Sequence, residues 1–566
     1  ADILDALDRA IAAGTAGNIA ESGRLVAEAD ASLRGESGLG TLIDNITLVS
    51  GLVSRVDQLD GLASGAEAQL ESESGLSTRE VERRSNELIA LRDATWSLRN
   101  DRLRTAKAVG ELAGKDASAS ARNAYLSIQQ AFSALDRMEV RGRDSAGVHV
   151  LVWGHGLDAT DKRVAPLLAG RLDDTLFTNG SVRVGAGSRA WSFVYKAAAE
   201  IGELGDNTRA MRTTVSNDAL LRLLISQPNA RVSILGHTRW ASVGIISEPN
   251  AHPVNSEEVG GNAAAPYMLA ALNGDVDNHA DIKVRNGLHI AEPITTDAKV
   301  IPTVVARKNA AGMPFVDAFR ETVAEFEGSV AIAVASADEP NSMMLALRGS
   351  GQGLYVGIAE DRFIVASEPY GVVEETLHYV RMDGESLADA NNPSSRGQVI
   401  ALDGDNAGSL AGMRMLAYDG TSIPLVDSTV SIAEVTTRDI DRGEHKHFLS
   451  KEIAEAPLSF RKTLRGKISE RNGQLEATLD TTVLPDDIRA KLTAGTYTRI
   501  RVIGQGTAAI AGRSLAQLLR TMVDHRVQVD ALPATELSGF QLQLDMTDTL
   551  IIAISQSGTT TDTNRT

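Results

Sequence analysis

Four residues near the middle of the chain have the chemistry needed to bind a free amino acid. Arg239 carries a planar guanidinium that can grip a carboxylate through two parallel hydrogen bonds. Asp297 can hold an ammonium group, and Asn273 with the amide of Gly274 can donate hydrogen bonds to a developing oxyanion. Together they suit an α-amino acid whose side-chain carbonyl is attacked. The same residue types also describe a salt-bridged cluster of turns, which composition alone favours.

A second set of polar residues lies close to the end of the sequence, where it could bind a phosphate. Thr507 stands between a predicted strand at Arg499–Ile503 and a predicted helix at Ala508–Arg520. A further predicted strand, Leu550–Ile554, runs into a loop of hydroxyl and amide side chains. Such groups after a parallel strand, at a helix N-terminus, form an anion site. The alternative is an ordinary helix cap. The loop candidates are Ser555, Gln556, Ser557 and Thr560.

Two other patterns are less informative. His445 and His447 have the spacing of a metal pair on a strand, but no third histidine is close in sequence, so no metal site is expected. The glycine-rich segment 348–353 lacks a following Lys-Ser/Thr pair and a helix, so it predicts a hairpin turn and not a phosphate loop. Neither the amino-acid site nor the phosphate site requires a metal or an organic cofactor.

Hydrophobic periodicity divides most of the chain into four regions that must position these residues. Residues 42–108 follow a helical pattern. Short alternating apolar runs over 119–435 predict antiparallel sheets with some helices, which is an α+β layered domain. A joining segment, 436–486, contains a predicted helix at 449–464. From residue 497 the order is strand, glycine loop, helix and strand, which predicts a doubly wound parallel α/β sheet.

The helical region predicts a hairpin of coiled-coil type, with Ser77 and Glu80 as a capping box that opens its second helix. It could serve as a docking or assembly arm. The alternative is a helical insertion that only adds bulk.

Composition excludes several classes of protein. The 566 residues carry a formal net charge of −18, which argues against nucleic-acid and anionic-membrane partners. No window has about 18 consecutive apolar residues, and the acidic start Ala1–Asp5 does not resemble a signal peptide, so a cytoplasmic protein is expected. The sequence contains 0 cysteines, which excludes disulfides, thiolate metal sites and a cysteine nucleophile within these residues.

The motifs and their order resemble those of the glucosamine-6-phosphate synthase family, which are class II (N-terminal nucleophile) glutamine amidotransferases. The glutamine-binding motifs of that family are similar to four segments here, followed in family order by a linker motif and a sugar isomerase (SIS) signature. An arginine-glycine strand entry precedes them. The matching segments are 139–147, 236–244, 249–253, 272–275, 295–297, 447–455 and 554–563.

The resemblance implies a role for each candidate residue in the glutamine site. Arg239 would bind the α-carboxylate of glutamine and Asp297 its α-amino group. Asn273 and Gly274 would form the oxyanion hole, and Trp240 would lie between the glutaminase pocket and the ammonia path. In the SIS part, a sugar phosphate would be held by Thr507, Ser555, Gln556, Ser557 and Thr560.

The resemblance also implies an architecture. It predicts an αββα glutaminase sandwich of the N-terminal-nucleophile type, with a helical insertion, followed by the start of a doubly wound α/β SIS domain. The expected segments are 1–20 as the first glutaminase helix, 21–120 as the insertion, 121–435 as the amidotransferase domain, 436–486 as a linker and 487–566 as the SIS part. A homodimer or higher homo-oligomer is expected.

The implied reaction hydrolyses glutamine and channels the ammonia to fructose 6-phosphate, which gives glucosamine 6-phosphate. Several residues depart from the family pattern: Val243 replaces a histidine, Arg143 a tyrosine, Ala508 a serine and Thr559 an acidic residue. The nucleophilic N-terminal cysteine is also missing, so we expect the strand that bears it to lie upstream. The alternatives are an inactive sensor or scaffold that binds sugar phosphate, and an amidotransferase acting on another sugar phosphate.

Overall fold

The helices and strands follow the order expected from the sequence patterns. The computed structural model describes the whole chain except residues 1, 74–75, 115, 185–189, 199–202, 242, 262–264, 350, 465–466, 472, 478–480, 482–483 and 556–560. Contacts divide the chain into two compact units, the first comprising Ala1–Gly75 with Glu82–Ala454 and the second Leu76–Val81 with Glu455–Thr566. Among the described residues, no helix combines the length and the apolar character needed to cross a membrane.

The α-helices are α1 Asp2–Thr15, α2 Ile19–Ala31, α3 Gly35–Asp44, α4 Ile46–Ser72, α5 Thr78–Trp96, α6 Arg104–Ala113, α7 Ala119–Met138, α8 Ala165–Leu168, α9 Asp206–Asn217, α10 Ala219–Ile225, α11 His279–Arg285, α12 Val300–Ala310, α13 Phe315–Ala324, α14 Phe448–Leu464, α15 Asp486–Thr493, α16 Thr507–Met522, α17 Ala534–Glu536 and α18 Thr561–Arg565. A π-helical stretch, Ser97–Leu103, joins α5 to α6.

The strands are β1 Ser145–Trp153, β2 Val182–Val184, β3 Ala190–Ala198, β4 Arg231–Arg239, β5 Val254–Asn255, β6 Met268–Gly274, β7 Val330–Ser336, β8 Ser342–Arg348, β9 Tyr355–Ile358, β10 Phe363–Ala366, β11 His378–Arg381, β12 Gln398–Asp403, β13 Met413–Ala417, β14 Ser422–Ile423, β15 Val430–Ile432, β16 Ile468–Arg471, β17 Gln474–Ala477, β18 Arg499–Gly504, β19 Gln528–Pro533 and β20 Thr549–Ala553.

Two sheets of the first unit pack face to face with helices outside them. In the sheet β2-β3-β1-β4, alternate side chains of β1 point to opposite faces. Val150 therefore packs with α7, and Leu151 packs against the second sheet. That second sheet, β14-β13-β12-β8-β7-β6-β5, packs Ala271 against the first and Leu272 against α12 and α13. The predicted αββα layering is therefore confirmed. A smaller sheet, β10-β9-β11-β15, adds to this unit.

The predicted helical hairpin is confirmed by α4 and α5. The two helices are antiparallel, because residues later in the second helix pair with residues earlier in the first. The ion pairs are Arg84 with Glu73, Arg92 with Glu67, and Arg99, in the π-helical stretch after α5, with Asp57 and Asp60. The hydroxyl of Ser77 accepts a hydrogen bond from the amide of Glu80 at 3.2 Å, as the capping motif predicts. Helices α1 to α7 together form a wider helical region, in which α1 packs on α2 and α4, and α7 leads into β1. The domain boundaries inferred from the sequence stay predictions.

A buried cluster of charges joins the helical region to the sheet region within the first unit. Arg102, in the π-helical stretch, donates to Glu375 at 3.1 Å and lies 3.4 Å from the carboxylate of Asp30 on α2. Arg137, on α7, pairs with Glu374. We call Asp30, Asp101, Arg102, Arg137, Glu374 and Glu375 the ionic cluster.

The prediction of a hairpin turn at 348–353 is wrong. The strand β8 pairs with β7 and β12, whereas β9 pairs with β10 and β11, so this segment carries the chain from one sheet to another. Gly349 has φ +92°, and a Cβ there would lie 2.5 Å from Oγ of Ser329. The glycine is required by this close approach and by its backbone conformation.

The second unit contains the parallel sheet expected from the sequence, with the order β19-β18-β20 and α16 between its first two strands in the chain. The sequence pattern identified β18 and β20 but not β19. A two-stranded sheet, β16-β17, lies in the segment predicted to be a linker.

Candidate active site

The glutamine-site candidates line one cavity of about 920 Å³ in the first unit. The cavity runs along the whole of β4 and is bounded on other sides by α7, β7 and β10. Its lining includes Arg239, Trp240, Asn273, Gly274 and Asp297. The structure thus brings together residues that are up to 58 positions apart (297 − 239) in the sequence.

Arg239 ends β4 and is 4 % exposed. Its Nη1 donates to the carbonyl of Ile245 at 3.4 Å, and its Nη2 donates to the carbonyl of Val243. Burial lowers the pKa of the guanidinium, while the nearby carboxylates of Asp297 and Asp144 act in the opposite direction. An arginine stays charged under these conditions, and its five N–H donors leave capacity for a carboxylate ligand.

Asp297 begins a short 3-10 turn, Asp297–Lys299, and is 4 % exposed. Its Oδ2 accepts a hydrogen bond from the amide of Val276 at 2.8 Å. Burial raises the pKa of this carboxyl, and the Val276 amide partly offsets that effect. Within the described part of the chain neither Asp297 nor Arg239 makes a direct ion pair, although their charges act on each other, so the Asp297 carboxylate is open to an ammonium ligand.

Asn273 and Gly274 are the last two residues of β6, where that strand pairs with Ala331 and Val330 of β7. Gly274 has φ +111°, and a Cβ at this position would lie 2.0 Å from the carbonyl oxygen of Ser329. Only glycine fits there. The local geometry therefore requires the glycine of the Asn-Gly pair that suggested an oxyanion site.

Two histidines of the matched motifs, the half-buried His237 and the buried His252, pack beside Arg239. The rings of His237 and His252 are 4.7 Å apart between centroids. Burial, with a smaller contribution from Arg239, lowers the pKa of His237 to about 4, and burial also lowers the pKa of His252. Both imidazoles are therefore neutral at pH 7. Nε2 of His252 lies 2.9 Å from Oγ1 of Thr296, next to Asp297.

Trp240 is 74 % exposed at the cavity mouth, although it follows the buried Arg239 directly. The amide of Ala241 donates to Asp144 at 2.8 Å, and the amide of Asp144 donates back to the carbonyl of Arg239 at 3.1 Å. Gly142 makes this approach possible, because a Cβ there would lie 2.7 Å from the Arg239 backbone. The arginine-glycine strand entry noted in the sequence therefore supports the glutamine-site candidates.

In the second unit, Thr507 and Ser555 follow adjacent parallel strands. Thr507 begins α16 just after β18, and Ser555 follows β20. The amide of Ile554 donates to the carbonyl of Ile503 at 2.8 Å, which aligns the two strand ends. Both candidates therefore lie at the carboxyl ends of the strands of this sheet. The other three candidates, Gln556, Ser557 and Thr560, lie outside the described residues.

No grouping of three or more His, Cys, Asp or Glu side chains suited to a metal ion occurs among the described residues. His445, one of the two histidines with metal-pair spacing, instead places its Nδ1 3.4 Å from Oγ of Ser450.

Sequence motifs alone did not assign a role to Asn250, His252 or Asp144, although all three fall within or beside the matched segments. Their contribution is visible only in the folded chain, because each acts by holding a loop that carries a candidate residue. The signal available in the sequence was their place in the strings R-G-R-D and P-N-A-H-P.

Comparison with known proteins extends the family resemblance over a large part of the chain. No protein-family model matches it. Curated proteins named glutamine--fructose-6-phosphate aminotransferase (isomerizing) are similar to it. The protein of Geobacillus kaustophilus is 29 % identical over 344 residues, covering 61 % of this chain and 50 % of that protein. That of Caulobacter vibrioides is 26 % identical over 370 residues, covering 65 % and 54 %. That of Bacillus subtilis is 29 % identical over 331 residues, covering 58 % and 48 %.

Two solved structures also share some similarity. A glutamine phosphoribosylpyrophosphate amidotransferase from B. subtilis is 17 % identical with a TM-score of 0.31, covering 51 % of this chain and 46 % of that one. A structure described as the allosteric regulatory enzyme of purine biosynthesis is 13 % identical with a TM-score of 0.35, covering 77 % and 89 %. These scores are too low to support a statement about the fold.

The chain spans about half the length of the curated relatives it matches. The resemblance inferred from the motifs is nevertheless confirmed, because over 58 % to 65 % of its length this chain is similar to enzymes named glutamine--fructose-6-phosphate aminotransferase.

Proposed function

We propose that the chain belongs to a glutamine-dependent amidotransferase that makes glucosamine 6-phosphate and glutamate from fructose 6-phosphate and glutamine. The observation that carries this proposal is the single cavity lined by Arg239, Asp297, Asn273 and Gly274. A cation, an anion and a pair of hydrogen-bond donors around one cavity match the carboxylate, ammonium and amide of glutamine. The similarity to enzymes with that name supports the same assignment.

Within this proposal, Arg239 binds the α-carboxylate and Asp297 the α-ammonium group of glutamine. The side-chain amide then faces Asn273 and the backbone of Gly274, which stabilise the oxyanion of a tetrahedral intermediate. Attack by a thiol releases ammonia and leaves a thioester, and water then releases glutamate and restores the thiol. Trp240 borders the side of the cavity from which ammonia would leave.

The thiol is not among these residues, since the sequence has 0 cysteines. The described sheet offers a place for a strand that carries it. The strand β4 is the last in the order β2-β3-β1-β4, and residues 230–241 line the cavity along its length. An edge strand has amide and carbonyl groups free to pair with another extended segment. A strand paired there would place a thiol in the cavity that holds Arg239 and Asn273.

The sugar phosphate would bind in the second unit at the carboxyl ends of β18 and β20, where Thr507 and Ser555 lie. Gln556, Ser557 and Thr560 complete this proposed site. The proposal names fructose 6-phosphate as the acceptor of ammonia, and another ketose phosphate is the alternative. A cytoplasmic location, assembly as a homodimer or larger homo-oligomer, and the absence of a required cofactor stay predictions.

Binding of L-glutamine, measured by isothermal titration calorimetry, tests the proposed site without needing the thiol. The unmodified chain should bind L-glutamine. Arg239→Ala should weaken binding by on the order of 10- to 100-fold, since hydrogen bonds to charged groups contribute about 1.5–3 kcal/mol. The matched control is Arg285→Ala on α11, whose guanidinium pairs with Glu325 at 2.7 Å and does not line the cavity. Equal losses in both variants, or no binding by the unmodified chain, would refute the proposal.

The acceptor sugar needs a separate experiment. Protein that carries the thiol-bearing strand should be supplied with glutamine and with fructose 6-phosphate or another ketose phosphate, and the products identified by mass spectrometry. Formation of glucosamine 6-phosphate supports the proposal. Amination of a different sugar phosphate would show that the acceptor is not fructose 6-phosphate. Binding of glutamine without turnover would favour the alternative of an inactive sensor or scaffold.

A further inference from the structure

The position of Asp297 requires an explanation, because this residue is not part of a sheet. Arg239 is held by β4, whereas residues 287–296, which precede Asp297, form no helix or strand. A ligand gripped at both ends needs a fixed separation between the guanidinium and the carboxylate. Something outside the sheets must therefore hold the segment that leads to Asp297.

The side chain of Asn250 makes the contacts that could do this. Asn250 is 0 % exposed and ends a short 3-10 turn. Its Oδ1 accepts hydrogen bonds from the amide of Thr295 at 2.7 Å and from the amide of Thr296 at 2.9 Å. Its Nδ2 donates to the carbonyl of Pro293 and to Oγ of Ser247, both at 2.9 Å. Both N–H donors of the side-chain amide are thus used, and its oxygen accepts from two backbone amides.

The same asparagine is linked to the loop that Arg239 holds. The guanidinium of Arg239 donates to the carbonyl of Ile245, and the amide of Ile245 donates to Oγ1 of Thr295 at 3.2 Å. Oγ1 of Thr295 in turn donates to Oδ1 of Asn250 at 3.3 Å. Asn250 therefore lies between the loop after β4 and the turn that begins at Asp297.

We propose that Asn250 is a positioning residue that sets the location of Asp297 relative to Arg239, and so determines how well the site recognises the α-amino group of its ligand. The inference rests on the proposed glutamine site. It assigns to Asn250 no contact with the ligand. The residue acts through the amides of Thr295 and Thr296, immediately before Asp297.

A purely structural role for Asn250 makes a different prediction. If the asparagine only stabilised the fold, its loss would lower the affinity of every ligand of the cavity to the same extent. If it positions Asp297, its loss should lower the affinity only of ligands that carry an α-amino group. The ligand pair L-glutamine and 4-carbamoylbutanoate separates these cases, because the second compound keeps the carboxylate and the amide but lacks the amino group.

The experiment measures the affinities of both compounds by titration calorimetry for the unmodified chain and for Asn250→Ala, after checking each protein by thermal unfolding. The unmodified chain should bind L-glutamine more tightly. In Asn250→Ala the affinity for L-glutamine should fall about tenfold, within the range of coupling between neighbouring residues, while that for 4-carbamoylbutanoate changes less than about threefold. The matched control is Gln129→Ala, which removes a buried amide whose Nε2 donates to Ser133 on α7.

A second variant covers the case in which Asn250→Ala does not fold. Asn250→Ser keeps one hydroxyl that can accept a hydrogen bond from either amide, so an intermediate loss of amino-group preference is expected. Equal weakening of both compounds, or full retention of the preference in a folded variant, would overturn the role of Asn250 and leave the glutamine site intact. If the unmodified chain binds neither compound, the proposed function fails and this inference fails with it.

Discussion

The cavity proposed to bind glutamine and the ionic cluster both bury charged side chains in the first unit, but they satisfy those charges differently. In the ionic cluster Arg102 and Arg137 pair directly with Glu375 and Glu374. Among the residues that the structure describes, Arg239 in the cavity donates only to backbone carbonyls, and Asp297 accepts from a backbone amide and from the hydroxyl of Thr296. Burying a charge without a direct ion pair is costly, and a site that keeps such a charge is suited to a charged ligand. The difference separates residues that hold the fold together from the residues that we propose bind glutamine.

The largest effect should come from opening the ionic cluster. Arg102→Met leaves the carboxylate of Glu375 without its cation, whereas Asp30 keeps Arg34 at 2.7 Å. Removing one partner of a buried pair costs about 3–5 kcal/mol. Urea unfolding followed by circular dichroism should show the loss. A change below about 1 kcal/mol would mean that the cluster does not hold the helical region in place.

Arg239→Met should leave the stability of the fold almost unchanged and weaken the binding of L-glutamine. The free energy of unfolding should change by less than about 1 kcal/mol, since the desolvation cost of an unpaired guanidinium disappears along with its hydrogen bonds. Affinity for L-glutamine should fall by on the order of 10- to 100-fold in titration calorimetry. Destabilisation as large as that of Arg102→Met would remove the distinction between the two regions.

The pH dependence of stability should depend on Asp101 in the ionic cluster. Burial, together with repulsion from Glu374, raises the pKa of Asp101 to about 7 from 3.8. The folded chain therefore holds a proton that the unfolded chain releases, so the stability from this group is complete below about pH 4 and is lost as the pH rises through 7.

Asp101→Asn keeps the shape of the protonated acid and an oxygen for Thr437, which donates to Asp101 at 2.6 Å. Relative to the unmodified chain, the variant should gain on the order of 2 kcal/mol between pH 5 and pH 8. Urea midpoints across this range provide the measurement. Parallel pH profiles for the two proteins would show that Asp101 does not titrate there.

The smallest effect is expected on the exposed side of the helical hairpin. Arg99 pairs with Asp57 at 2.6 Å and Asp60 at 3.0 Å, but these side chains are between 42 % and 59 % exposed. Arg99→Ala should therefore change the free energy of unfolding by less than about 0.5 kcal/mol. A loss comparable to that of Arg102→Met would show that exposure is not what separates the two arginines.

The sequence allowed the candidate binding residues to be named because short motifs carry them. Arg239, Asn273 and Asp297 each lie in a string whose residue types fit one part of an amino acid. The role of Asn250 could not be predicted, since its partners Thr295 and Thr296 are 45 and 46 residues away and are linked to it only by folding. The ionic cluster was missed for the same reason, because Arg102 meets a residue 273 positions later.

Periodicity predicted the layered sheets and the helical hairpin, because alternation in β1 and the heptad-like spacing of α4 and α5 are local signals. The hairpin turn predicted at 348–353 from its glycines was wrong, because such glycines allow either a tight turn or a crossing between sheets. Pairing of β8 and β9 with different partners decides that choice, and pairing is not a local property.

The π-helical stretch Ser97–Leu103 has a consequence for the length of the chain at this point. An α-helix turns by about 100° per residue, so a wider turn absorbs one additional residue without changing the direction of the helix axis. Deleting one residue here would rotate α6 by roughly that angle and carry Val109 and Leu112 out of their buried positions. A deletion in this stretch should therefore be more harmful than any single substitution within it.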